Sequence, residues 1–186
     1  MYHPLQMVCG LFKHINITVM TVREQQEQSK MEPYAEASRY MNNAENTLRK
    51  TRKEDNFYLD RKYVQVACGT AYLGVLVALN KWLQLKGVPD PPKRKHKTIG
   101  FYTDNVARLD GKLSMELQAA YSLLHRDGYY DGVQKASTIR DGFDSAYSII
   151  ARIKPDVSEE ELQQYIEEHT KKKSTLWGQL SSLLSF

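Results

Sequence analysis

The sequence predicts an all-α protein: an up-down-up-down four-helix bundle with a kinked third helix and an extra C-terminal helix. Three observations carry that prediction. No charged residue lies between Lys62 and Lys81, and apolar residues there fall on every helical face. A helix that is apolar all round requires partners on all sides. Amphipathic stripes at three- and four-residue spacing recur on both sides of that segment. No segment requires a strand.

Residues 1–30 read as a disordered or peripheral N-terminal extension: 1–22 lack clean periodicity, and 24–30 are polar and Gln-rich. No basic stretch leads into an apolar run with a small-residue cleavage site, so a signal peptide is not expected. Met7, Met20 and Met31 offer later starts, so the extension also reads as a mis-called start. Pro33 suits the first turn of a helix. Ala37, Met41, Ala44 and Leu48 then recur at helical spacing, predicting helix one over 33–52. After a polar break at 53–56, helix two spans 58–86 and ends at Gly87, with Pro89, Pro91 and Pro92 barring continuation. Thr98 caps a third helix carrying Ile99, Tyr102, Val106 and Leu109 on one stripe. Asp110–Gly111 interrupts the pattern, which resumes at Leu113, Leu117, Ala120 and Leu124. Two residues are few for a full reversal, so a kink or slight offset is expected. Residues 127–132 read as a turn, and helix four as 133–153, with Ile139, Phe143, Ala146 and Ile150 on one face. Pro155 closes the bundle domain, 31–155. Ser158 and Glu161 form a capping box that opens the C-terminal amphipathic helix and tail, 156–186.

At 186 residues the chain suits one domain with tails, and 41% hydrophobic residues suffice for its core. A net charge of +4 is too small to force a nucleic-acid reading, which depends on clustering. Cys9 and Cys68 are the only cysteines, which excludes a disulfide framework and a cysteine zinc site and favours the cytoplasm. The five histidines are scattered and no Glu-x-x-His pair exists, so no metal and no cofactor is expected. Helix two is the one transmembrane candidate. A buried helix in water is favoured over a membrane span, because the amphipathic helices need something to cover.

Up-down connectivity puts the helix-one/helix-two turn and the helix-three/helix-four turn at one end. That end gathers Tyr58, Asp60, Arg61, His125, Arg126, Asp127, Tyr129, Tyr130 and Asp131. His125 offers acid–base chemistry near neutral pH, with Asp60 or Asp127 to orient it. Arg61 and Arg126 offer an anion site. The plainer reading is that these charges cap helix ends while the tyrosines cover the bundle mouth, and it is favoured. Cys68 reads as a small core hydrophobe. The basic connector 93–97 reads as a solvated loop. The tail 171–186 reads as docking on its own bundle or on a partner subunit, ahead of a membrane surface. Tyr63, Tyr72, Tyr102 and Tyr121 are candidates to line a pocket between helices, though core completion is the commoner role. No phosphate loop and no nucleophile elbow is present.

The pattern Ala37–Leu48, the run Tyr58, Asp60, Arg61, Tyr63, Val64 with its centre Ala67–Tyr72, and the tip Leu124, His125, Tyr129, Tyr130 resemble small uncharacterised helical proteins of Bacteroides-type bacteria. More distantly, the layout over 31–153 is similar to HEPN and kanamycin-nucleotidyltransferase C-terminal-like four-helix bundles. That resemblance implies a helical bundle, self-association and often a protein partner. HEPN ribonucleases carry an arginine five to seven positions upstream of a histidine, and no histidine here follows that pattern, so no catalytic residue carries over. The expected function is therefore a non-enzymatic bundle that forms a homodimer or larger homo-oligomer, or binds a protein partner. The alternative is a HEPN-like nucleic-acid binder or degenerate ribonuclease using the tip.

Overall fold

The computed structural model describes residues 21–92 and 96–167. Most of the N-terminal extension, part of the basic connector and the apolar tail of 171–186 lie outside the described residues.

Helix α1 runs Val22–Leu48, starting well ahead of Pro33. The reason is a capping box that the polar stretch concealed. Glu24 N–H donates to the Thr21 hydroxyl (3.2 Å), and Thr21 N–H donates to the Glu24 carboxylate (2.7 Å). Pro33 therefore sits inside the helix and removes one backbone hydrogen bond, a cost of about 3 kcal/mol in a helix interior. The start of α1 is also tied to the segment at Asp156: Arg23 pairs with the Asp156 carboxylate at 2.6 Å, and Asp156 N–H donates to Glu27 at 2.6 Å. Met31, Ala37, Met41 and Ala44 form the buried stripe.

The break after α1 is a small antiparallel hairpin, which corrects the expectation that no strand would form. Strand β1 (Lys53–Glu54) pairs with β2 (Phe57–Tyr58) around a turn in which Asp55 has φ 51°. Aspartate tolerates that left-handed conformation better than most residues. The hairpin is laced to the segment before the last helix. Tyr58 N–H donates to the Gln134 carbonyl (2.9 Å), and Ala136 N–H to the Asn56 carbonyl (2.8 Å). The Gln134 side chain returns a bond to the Tyr58 carbonyl at 2.7 Å. The two connections thus share one end of the molecule.

Helix α2, Arg61–Leu85, is capped by Asp60, whose carboxylate accepts from Lys62 N–H at 2.9 Å. It ends at Gly87 (φ 74°), with Val88 N–H reaching back to the Leu83 carbonyl. It packs against α1, the last helix and the segment before it. Burial is not complete on all sides, as its apolar composition had suggested: Val66 and Leu73 remain 48% and 49% exposed. By length and composition α2 is also apolar enough to cross a membrane, and half of its most apolar window is covered by the other helices.

Helix α3 (Ile99–Leu109) and helix α4 (Gly111–Ala120) are separated by one extended residue, Asp110. Asp110 caps α4 through Leu113 N–H at 2.9 Å and pairs with Arg152 at 3.3 Å, which ties the break to the end of the last helix. Residues Tyr121–Tyr130 continue as a π-helix in place of the expected turn from 127. Residues 131–135 then turn the chain. Helix α5 follows over Ala136–Ala151, and helical structure resumes at 159–167 behind the Ser158–Glu161 capping box. The fold is all-α apart from the hairpin.

Candidate functional site

A π-helix closes its backbone bonds one residue later than an α-helix, so its wider turn brings residues four apart into line. Tyr121, His125 and Tyr129 obey that spacing. Their rings form a ladder, with His125 5.3 Å from Tyr121 and 6.0 Å from Tyr129. From α2, Tyr72 stacks on the imidazole at 4.7 Å and 28°. Tyr130 meets it edge-on at 5.0 Å and 84°. Four tyrosine rings thus pack around a half-buried His125.

Two glycines permit this closeness. A side-chain carbon on Gly69 would lie 2.9 Å from the Tyr129 ring, and one on Gly128 would lie 2.5 Å from the Cys68 sulfur. The π-helix therefore lies directly on α2. Burial pushes His125 below its ordinary pKa of 6.5, which favours the neutral imidazole. Burial also pushes the Cys68 thiol up to about 12, which leaves it a core hydrophobe.

The other tip residues take separate tasks. Asp60 caps α2, and Asp127 pairs with Arg126 at 3.0 Å, which fits the plainer reading and leaves neither to orient His125. Arg61 donates to the Asp131 carbonyl at 2.8 Å. Gln65 donates to the Tyr129 and Tyr130 carbonyls at 3.0 and 3.4 Å. These α2 side chains satisfy carbonyls that the end of a helix leaves without partners. Arg61 is thus already engaged as a clamp. Sequence reasoning passed over Gln65, though its signal was present: it is a strong donor one turn after Arg61 in an otherwise apolar run. Tyr58 is half-buried in β2 and lines a different groove, between α1 and α5. Of the tyrosines proposed for an interhelical pocket, Tyr72 and Tyr121 join the His125 cluster. Tyr102 instead donates to Asn80 at 2.9 Å.

Tyr129 and Tyr130 stay 44% and 64% exposed, and through Gly69 and Gln65 they border the outward face of α2. That face carries Val66, Thr70 and Leu73 at helical spacing. The Thr70 hydroxyl donates to the Val66 carbonyl at 2.7 Å, so its hydrogen-bonding need is met within the helix. Among the described residues, no group of three His, Cys, Asp or Glu side chains converges as a metal site.

Among solved structures, a protein of unknown function from Dyadobacter fermentans is 38% identical to this chain with a TM-score of 0.58, over 67% of this chain and 95% of that one. No curated protein matches. The family described as "Domain of unknown function (DUF5618)" matches residues 32–155, a stretch that contains the whole tyrosine–histidine cluster and the outward face of α2. The chain belongs to that family.

Proposed function

We propose that this protein is a non-enzymatic interaction module of the cytoplasm, an up-down-up-down four-helix bundle that self-associates through the outward face of α2. In that arrangement α3, α4 and the π-helix together make the third arm. The observation that carries the reading is the half-exposure of Val66 and Leu73 on the most apolar helix of the molecule, beside two exposed tyrosines. Tyrosine is enriched in the centres of protein interfaces, where charged residues are depleted. Between Lys62 and Lys81 the face holds no charge, so two copies crossing near Thr70 meet without like-charge contact and with their lysine-bearing ends apart. An isologous dimer is the simplest closed arrangement for such a face. The setting of His125 supports the non-enzymatic part, since its ring contacts are to tyrosines while Asp60 and Asp127 are engaged elsewhere.

The HEPN-like nucleic-acid alternative loses support because Arg61, one of the two arginines it places at the phosphate, already donates to the Asp131 carbonyl. The test is light scattering of the full chain after size exclusion, over a range of concentrations. The expected result is a dimer that becomes a monomer in the Val66→Glu/Leu73→Glu double variant, with helical circular dichroism retained. A wild-type monomer at every concentration, or a chain recovered only with detergent, refutes the proposal.

A further inference from the structure

A concavity of about 510 Å³ lies between the end of α1 and the first turns of α5, where the hairpin closes it. Its size falls in the range of small-molecule sites. Its floor is apolar: Ile139 and Phe143 are buried, and Leu48 and Tyr58 are partly buried against the same core. Its far side is a clasp, in which the Tyr147 hydroxyl donates to the Glu45 carboxylate. Arg49 also pairs with Glu45, at 3.0 Å, so this acid is already neutralised.

The hairpin end of the groove is cationic. Lys53 lies across from Tyr58 in the hairpin register, and Arg140 lies one turn into α5. Arg140 is close enough to the Tyr58 phenol to oppose the rise in its pKa that burial causes. Its carboxylate neighbour Asp141 stands at 3.9 Å, the outer limit of an ion pair. The α5 N-terminus itself has no side-chain cap, so its partial positive charge adds to the same end. The acid left to balance these groups on the groove lining is Asp144.

We infer that the α1–α5 groove binds a small amphipathic organic anion, an aromatic body resting on Leu48, Tyr58 and the edge of Phe143 with its carboxylate or sulfonate held by Lys53 and Arg140. This site lies on a different part of the surface from the proposed self-association face, and its test has a separate readout. The probe is 8-anilino-1-naphthalenesulfonate, followed by fluorescence and by amide chemical-shift mapping on the full chain. The expected result is saturable one-site binding, with shifts confined to the end of α1, the hairpin and the start of α5. Affinity should fall at least tenfold in Arg140→Glu, and the uncharged analogue N-phenyl-1-naphthylamine should bind at least tenfold more weakly than the anion. Arg140 and Lys53 are exposed, so Arg140→Glu and Lys53→Glu leave the core intact; circular dichroism checks this. The inference is overturned by absence of saturable binding, by shifts elsewhere, by equal affinity for the neutral analogue, or by indifference to both charge reversals.

Discussion

The Cys68 sulfur occupies the space into which a side chain on Gly128 would project, at 2.5 Å from the position of its first carbon, and the Cys68 Cβ lies at 2.7 Å from the same point. Both distances are far inside van der Waals contact. The π-helix and α2 therefore approach as closely as the Cys68 side chain allows. Gly128→Ala should destabilise the fold by about 1–3 kcal/mol, the usual cost of overpacking a filled core. Cys68→Ala should not rescue it, because the Cβ itself is in the way, whereas Cys68→Gly should restore part of the loss. Chemical denaturation of the three variants measures this, and full tolerance of Gly128→Ala would contradict the packing described.

Cys68 is fully buried, and its thiol is pushed up to about 12 from an ordinary 9.0 by burial alone. The folded chain should therefore protect Cys68 from iodoacetamide near pH 8, and unfolding should expose it, as site-resolved mass spectrometry would show. The linkage has a definite sign. The folded thiol stays neutral where the unfolded one ionises, so this contribution to stability is intact below about 9 and is lost as pH rises toward 12. A Cys68 alkylated as fast in the native protein as in denaturant would refute the burial.

Arg61 distinguishes a structural clamp from a phosphate contact. Its bond to the Asp131 carbonyl holds the end of the π-helix on α2. Arg61→Ala should cost about 0.5–1.5 kcal/mol, the net value of one hydrogen bond. The loss should be shared with Gln65→Ala less than additively, since both side chains secure neighbouring carbonyls. A phosphate-binding role would instead leave stability unchanged and abolish a salt-dependent RNA interaction. Urea melts and RNA titrations of the same variant separate the two.

The helical segments were legible from periodicity because α2, α3 and α5 bury regular stripes, and the shared end was legible from connectivity because short links leave few alternatives. The start of α1 was not, since Thr21 and Glu24 act through a cap while the residues between them and Met31 bury almost nothing. The hairpin was hidden because its four paired residues alternate too briefly to register, and its partner at Gln134 is remote in sequence. The π-helix was hidden for a different reason. Tyr121, His125 and Tyr129 fit an α-helical face almost as well, and Gly128 reads as a turn until its packing on Cys68 is seen. In the candidate tip, Asp60 and Arg61 secure helix ends, as the plainer reading has it, while Tyr72, noted only as a pocket candidate, supplies the surface on which His125 stacks.

That stack predicts how the fold responds to acid. Burial lowers the His125 pKa from 6.5, and the surrounding rings of Tyr72, Tyr121, Tyr129 and Tyr130 supply no carboxylate to reverse the shift. The nearest charged neighbours in sequence, Arg126 and Asp127, are paired with each other. Below about 6.5 the unfolded chain takes up a proton that folded His125 resists, so the folded state loses stability as pH falls through that value. His125→Phe keeps an aromatic ring in the stack and removes the titration. The variant should therefore match the wild type near neutral pH and lose less stability on acidification, while imidazole resonances of the wild type should show His125 titrating below the ordinary value. An imidazole that titrates above 6.5, or an acid response unchanged by His125→Phe, would show that the rings do not seclude it.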